Sequence, residues 1–339
     1  MLAAEEFRNK DHIMAYLAEA YVARDVPSLH CFAFLLDKDA TLGEAIELAQ
    51  RRGVRAVLTR KSGDLFQLGI RVRTSYQTGY LVQMGQSWVF LSDGETSRLN
   101  STIRAFARST FPLLVRAFLP SSRILRLIER LKVKYDRVLV SEGTIYTKGQ
   151  TSRVWKEGLV EFSAREMDRV ARRDDGKWTN ISFRCVGAGT EAFSCRVYEH
   201  GHLTLYSGRF PLFYSDVVLP YFGDASEIEN GLREKERRDT AEGVVLNPVT
   251  VQFAKDISDL DMELLKDRIL REYVAAVTHP GNPLLMIQLS DRLDGSAYDL
   301  YAYGQKVEIV PQQRASAQSL LELVSTISDV LPTGMPVLD

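Results

Sequence analysis

Alternation of apolar and polar positions is clearest at residues 65–73. Phe66, Leu68, Ile70 and Val72 fall on one side, and Gln67, Gly69, Arg71 and Arg73 on the other. A period of two predicts a half-buried strand with two arginines on its open face. A second run, 80–84, turns at Gly85 and Gln86 and resumes at 88–91. Gly94 and a Ser/Thr/Asn-rich stretch then open an arginine-bearing helical segment. The order strand, tight glycine turn, strand, helix recurs at 178–222 and 284–331, where Gly201 and Gly304 mark the turns.

Other elements follow from helical spacing and from stops. Ile13, Met14, Leu17, Ala18 and Tyr21 predict a helix over 10–24 with Asp11 as its cap, ended by Pro27. Residues 29–36 form a short apolar run of strand length. Leu42, Ala45, Ile46 and Ala49 predict a helix over 41–52, with Gly53 at its C-terminal end and a strand over 54–59 beyond it. Pro112 and Pro120 cut the arginine-rich run into short helices. In the last of these Ile124, Leu127, Ile128 and Leu131 face the core, and Arg123, Arg126 and Arg130 face away. A helix over 256–277 begins at Ser258 and Asp261 and stops before Pro280, Gly281 and Pro283. A final helix is expected over 316–331, with 332–339 loose.

These elements predict an α+β protein: antiparallel sheets from repeated hairpin-then-helix units, with helices packed on one face. The expected organisation is a small N-terminal α/β cap (1–62), a first hairpin-helix unit with arginine-rich helices (63–137) and a second sheet unit (138–222). A charged linker (223–255) and a helix with a third hairpin-helix unit (256–339) complete it.

Composition adds limits. The 339 residues are 45% hydrophobic and 26% charged, an ordinary globular balance. No apolar run reaches the roughly eighteen residues that span a bilayer, so no membrane partner is expected. The N-terminus carries Glu5 and Glu6 and lacks the apolar core of a signal peptide. Three cysteines, Cys31, Cys185 and Cys195, point to a reducing, cytoplasmic setting. Net charge is near zero but polarised. Up to Trp178 there are 29 Lys+Arg and 21 Asp+Glu (+8); the remaining 14 and 23 give −9. Such asymmetry fits an anionic partner for the basic half, attraction between the halves, or a basic partner for the acidic half.

Candidate chemistry is sparse. Gly187, Gly189 and Ala192 formally fit a dinucleotide fingerprint, but a strand-like run follows where that motif needs a helix, so a hairpin loop is expected and no cofactor. Cys185, Cys195, His200 and His202 are the soft-ligand cluster; their spacing lacks the pattern of zinc knuckles, so no metal is expected there. Asp291 with Asp294, and Asp174 with Asp175, are acidic pairs in turn-like surroundings. Phosphate loops, zinc-protease helices, nucleophile elbows and kinase signatures are absent, so the enzyme question stays open and leans towards no.

The arginine-rich stretch carries the functional expectation. Residues 98–137 hold ten Lys+Arg against two acids. Arg71, Arg73, Arg104, Arg108, Arg123, Arg126, Arg130, Lys132 and Lys134 are the expected nucleic-acid contacts, with Trp88, Tyr76 and Tyr80 for stacking. The bland alternatives are a solvated face or ion pairs to the acidic half. An interfacial membrane helix over 106–131 would suit the composition, but the two prolines interrupt its face. The hairpin-then-helix cadence is loosely similar to the saddle-like halves of TATA-binding proteins, and no residue is carried over from that likeness. The expectation is a non-enzymatic binding or adaptor subunit, taking DNA or RNA on its basic half and a protein partner, or a second copy, on its acidic half. The alternatives are a metal-dependent hydrolase or nuclease with dispersed carboxylates, and a purely structural interaction subunit.

Overall fold

The computed structural model describes every residue except 1, 3–4, 22–26, 86, 148–152, 156–157, 174–175, 234, 236–247, 282, 313, 332–334 and 338–339. Two compact units emerge. One comprises Met1–Thr144, Val154–Met167 and Thr179–Ser226; the other comprises Ile145–Arg153, Asp168–Trp178 and Glu227–Asp339. The protein is α+β, with two antiparallel sheets.

The first unit starts with α1 (Lys10–Ala20), capped by the Asn9 side chain rather than by Asp11. Then come β1 (Leu29–Leu36), α2 (Leu42–Arg51), β2 (Arg55–Arg60), β3 (Leu65–Val72), β4 (Ser75–Met84), β5 (Ser87–Ser92) and α3 (Thr96–Thr110). Thr41 and Glu44 form a reciprocal capping box on α2. The chain continues through β6 (Leu114–Arg116), α4 (Ser121–Lys134), β7 (Arg137–Thr147), β8 (Arg153–Trp155) and α5 (Ala164–Arg173). β9 (Gly176–Gly187), β10 (Thr190–Tyr198) and β11 (His202–Gly208) follow. A helical stretch closes the series: α6 (Phe210–Phe213), a π-helical turn (Tyr214–Val218) and α7 (Leu219–Arg233). The β9–β10 connection has Ala188 at φ 49° and Gly189 at φ 73°. Positive φ at both central residues is the geometry of a two-residue hairpin turn, so the glycine-rich motif is a hairpin.

The large sheet has the order β2-β3-β4-β5-β1-β11-β10-β9-β7-β8, with β6 also on β1. The N-terminal residues are therefore not a separate cap. β1 pairs with β5 on one edge and with β11 and β6 on the other, and seven of its eight residues are buried. Long-range pairing of an apolar strand overrides its place at the start of the chain.

The second unit's sheet runs β13-β14-β15-β16-β12-β17. Its strands are β12 (Val249–Gln252), β13 (Val274–Gly281), β14 (Leu284–Ser290), β15 (Ala297–Tyr303), β16 (Lys306–Pro311) and β17 (Met335–Val337), joined by α8 (Asp259–Glu272) and α9 (Ala317–Val330). Three expectations change here. Part of the expected linker is strand β12, and part of the expected loose tail is β17, which pairs with it. The helix expected over 256–277 ends at Glu272, because Val274–Gly281 pairs with β14 instead. Residues 223–233 of the expected linker belong to α7, and 234 and 236–247 lie outside the described residues.

A common module underlies both sheets. β1-α2-β2-β3-β4-β5-α3 and β12-α8-β13-β14-β15-β16-α9 share the order strand, helix, four strands, helix. In each, the first strand pairs with the last. A middle copy, β6-α4-β7-β9-β10-β11-α7, carries β8 and α5 as an insertion, and its β11 pairs with β1. Each hairpin-then-helix repeat thus includes the strand and helix before it.

Pleating decides which side of the large sheet each module covers. Phe32, Phe34, Leu68, Ile70 and Phe90 point to one side and pack on Ile46 of α2 and on Leu99, Ile103 and Phe106 of α3. Cys31, Val82, Val89 and Leu91 point to the other, against Met14 of α1, Phe210 and Val218. Phe193 on β10 faces that same second side, meeting Tyr135 after α4 and Phe213 of α6. Helices of the first and middle modules thus lie on opposite faces of one sheet. Away from α1, the outer side of β2, β3 and β4 is left open.

Candidate functional site

The open side of β2–β4 is set by register. Arg55, Val57 and Thr59 on β2 sit opposite Arg71, Gly69 and Gln67 on β3. On β4 the matching residues are Tyr76, Thr78 and Tyr80. The intervening residues Ala56, Leu68 and Ile70 belong to the core. Arg55, Arg71 and Tyr76 therefore form one row across three strands, all exposed. The Arg71 guanidinium lies 5.5 Å from the centroid of the Tyr76 ring. That ring leans over Gly69, where a Cβ would lie 2.7 Å from the Tyr76 hydroxyl oxygen. Glycine is what lets the tyrosine lie down across the sheet.

Two features make this row unusual. Arg55 and Arg71 are direct cross-strand neighbours of like charge, an arrangement that destabilises a sheet. Neither has an ion pair to an acid among the described residues. Beside them, Arg73 occupies the tight β3–β4 turn at φ 53°, the left-handed region that costs a non-glycine residue on the order of 1 kcal/mol. The turn thereby holds a third guanidinium at the same end of the hairpin.

The remaining expected contacts are distributed elsewhere. Arg104 and Arg108 are exposed on α3, on the opposite side of the sheet. On α4, Arg130 pairs with Asp224 of α7, and Lys134 lies 2.6 Å from Asp216 in the π-helical turn. Lys132 donates to the Phe162 carbonyl and lies 3.3 Å from Glu129. Arg123 is half-buried and engaged; Arg126 is exposed. Trp88 is buried at 6% exposure, its ring edge-on to Phe66, and Tyr80 is wholly buried. Neither offers a face to a ligand, because both are packed inside; the unbroken apolar run gives no clue to which side is covered. Arg55, by contrast, escaped notice because a single arginine at the start of a strand carries no signal until its partner is known.

Cys185, Cys195 and His202 do not converge. Cys195 pairs with Phe183, and Cys185 with Phe193, on the side that faces α6. His202 pairs with Phe32 on the other side, its ring stacked between Phe32 (4.2 Å) and Tyr198 (4.5 Å). His200 precedes β11 and packs on Phe118. Alternation along the strands separates the sulfurs from the His202 imidazole. Burial pushes both cysteine thiols up, which suits packed, un-ionised side chains.

His202 instead meets His30. Their Nδ1 (His30) and Nε2 (His202) atoms are 3.1 Å apart, and each lies near the Thr204 hydroxyl, at 3.3 and 3.1 Å. The other His30 nitrogen, Nε2, is 3.2 Å from the Thr96 hydroxyl. Burial pushes His30 down to about 4, with Asp93 opposing, and holds His202 well below the usual imidazole range. Both rings are therefore neutral at physiological pH, sharing one proton across their contact.

Asp291 and Asp294 are also accounted for. Asp294 Oδ2 accepts from the hydroxyls of Ser296 (2.9 Å) and Ser316 (2.6 Å), and Asp291 Oδ2 accepts from Ser319 (3.0 Å). The pair ties the β14–β15 turn to the start of α9. Asp174 and Asp175 lie outside the described residues. No helix among the described residues is long and apolar enough to cross a membrane.

The fold thus defines an α+β protein of repeated strand-helix-four-strand-helix modules with an open, arginine-bearing sheet surface on β2–β4. Set against protein-family models the chain matches none, and it matches no curated protein.

Proposed function

We propose that the protein is a non-enzymatic binding subunit that contacts unpaired nucleic acid on the open face of β2–β4. The observation that carries this reading is the row Arg55, Arg71 and Tyr76. Two like charges held opposite each other without an acid are relieved by an anion, and a phosphate backbone supplies one. Tyr76, 56% exposed, gives a flat ring on which a base stacks, a sequence-tolerant contact worth roughly 1–3 kcal/mol. Arg73 at the turn extends the track by one phosphate contact. The acidic C-terminal half is assigned to a protein partner, on charge alone.

Fluorescence anisotropy with labelled single- and double-stranded DNA and RNA tests this. The expected result is tightest binding to single strands, weakening steeply with salt. In R55E/R71E the affinity should fall at least about ten-fold, and the slope of log affinity on log salt should drop by about two contacts' worth. Arg126→Glu on α4 should leave binding nearly unchanged. Absence of binding at low salt, or equal losses from the two variants, would sink the assignment.

A further inference from the structure

A groove of about 470 Å³ lies on the helix side of the first module, lined by Arg52, Val54, Ser101, Arg104, Ala105 and Arg108. We propose that it binds a compact polyphosphate, such as pyrophosphate or the phosphate tail of a nucleotide.

Three guanidinium groups enter this space from two helices. Arg104 and Arg108 are one turn apart on α3, a spacing at which like charges repel. Neither has an acidic or hydrogen-bonding partner among the described residues. Arg52 follows the end of α2, and its Nη1 donates to the carbonyls of Ser109 (3.4 Å) and Phe111 (2.5 Å). Those carbonyls close the C-terminal end of α3, so Arg52 is fixed in place before any ligand arrives. Its remaining guanidinium hydrogens have no protein acceptor among the described residues. A preordered guanidinium beside two free ones loses little entropy on binding an anion, and guanidinium geometry suits phosphate oxygens.

A solvated helix face explains less. The dipole at the C-terminal end of α3 favours Arg108, but Arg104 sits a full turn earlier, where that field has faded. The volume falls within the range of small-molecule sites, and Val54 and Ala105 supply an apolar floor. The groove is on the opposite side of the sheet from Arg55 and Arg71, so this inference stands apart from the nucleic-acid reading.

The test is isothermal titration of the full chain with inorganic pyrophosphate at fixed ionic strength, in the wild type, R104A/R108A and R55E/R71E. Both variants change exposed side chains, and circular dichroism checks that each is folded. Saturable binding that weakens at least about ten-fold in R104A/R108A and is unchanged in R55E/R71E is expected. Failure to saturate in the millimolar range would overturn it, as would equal affinity in R104A/R108A or loss in R55E/R71E. The same variants are titrated with a single-stranded oligonucleotide. If R104A/R108A weakens the oligonucleotide as much as pyrophosphate, the groove belongs to a polymer and the small-ligand assignment fails.

Discussion

The β3–β4 hairpin and helix α4 are both arginine-bearing amphipathic stretches, yet the fold treats their charges in opposite ways. On α4 three cations close onto neighbouring structure, Arg130 on Asp224, Lys134 on Asp216, and Lys132 on Glu129 and the Phe162 carbonyl, while Arg126 stays exposed. On the hairpin, Arg71 faces Arg55 and lies by Tyr76, with no acid among its described contacts. Charge density in a sequence therefore measures the supply of cations. Free charge is what remains after distant carboxylates have been matched, and only that remainder is open to a ligand.

The largest effect that bears on this contrast comes from acid. Asp216 stays ionised between pH 6.5 and 5. Burial opposes ionisation of Asp216, but hydrogen bonds from Lys134, Ser215 and Tyr135 prevail and hold its carboxyl below the ordinary range. The His30–His202 pair does respond, because both rings are kept neutral in the folded state. A depressed imidazole favours folding above its unfolded pKa near 6.5, and that advantage is lost as pH falls towards the folded value. Stability to urea should drop by roughly 3 kcal/mol between pH 6.5 and 5, and H202F should flatten the drop by about half. An unaltered drop in H202F would move the acid sensitivity to the charged surfaces.

Asp216→Ala comes next. It strips the Lys134 amine and the buried Tyr135 hydroxyl of their acceptor, 2.6 and 2.5 Å away. A loss of about 2 kcal/mol is expected by urea unfolding, with oligonucleotide affinity unchanged. Changed affinity in a folded variant would mean that α4, not the hairpin, faces the ligand.

Gly69→Ala is the gentlest probe. The new methyl would displace the end of the Tyr76 side chain, a flexible group, so stability should fall by only about 0.5 kcal/mol. Oligonucleotide affinity should weaken roughly two- to three-fold as the ring leaves Arg71. Equal affinity would remove Tyr76 from the interface.

Local features were legible in the sequence. Pro112 and Pro120 bracket the break between α3 and α4, Ser258 caps its helix, and the β9–β10 hairpin follows from its glycines. The face of Arg71 follows from alternation alone. Pairing across long stretches was not legible. His30 and His202 are 172 residues apart, and Arg130 and Asp224 are 94 apart. No local period encodes such meetings, so the place of β1, the burial of Trp88 and the pairing of Arg130 and Lys134 on α4 all had to be read from the structure. β17 was missed for a simpler reason: three residues among prolines and a glycine carry too short a pattern to register.

The position of β1 has a consequence for how the protein is made. Its edge towards β5 can be satisfied once residue 92 has emerged from the ribosome, but its other edge awaits β11, which begins at His202. For more than a hundred residues of synthesis a strand that is apolar but for His30 stands with half its backbone donors and acceptors unmatched, apart from the short β6. An exposed edge of that kind is a template for association with other nascent chains. Fragments ending before β11 should therefore collect as aggregates, and the two modules of the large sheet must be studied together.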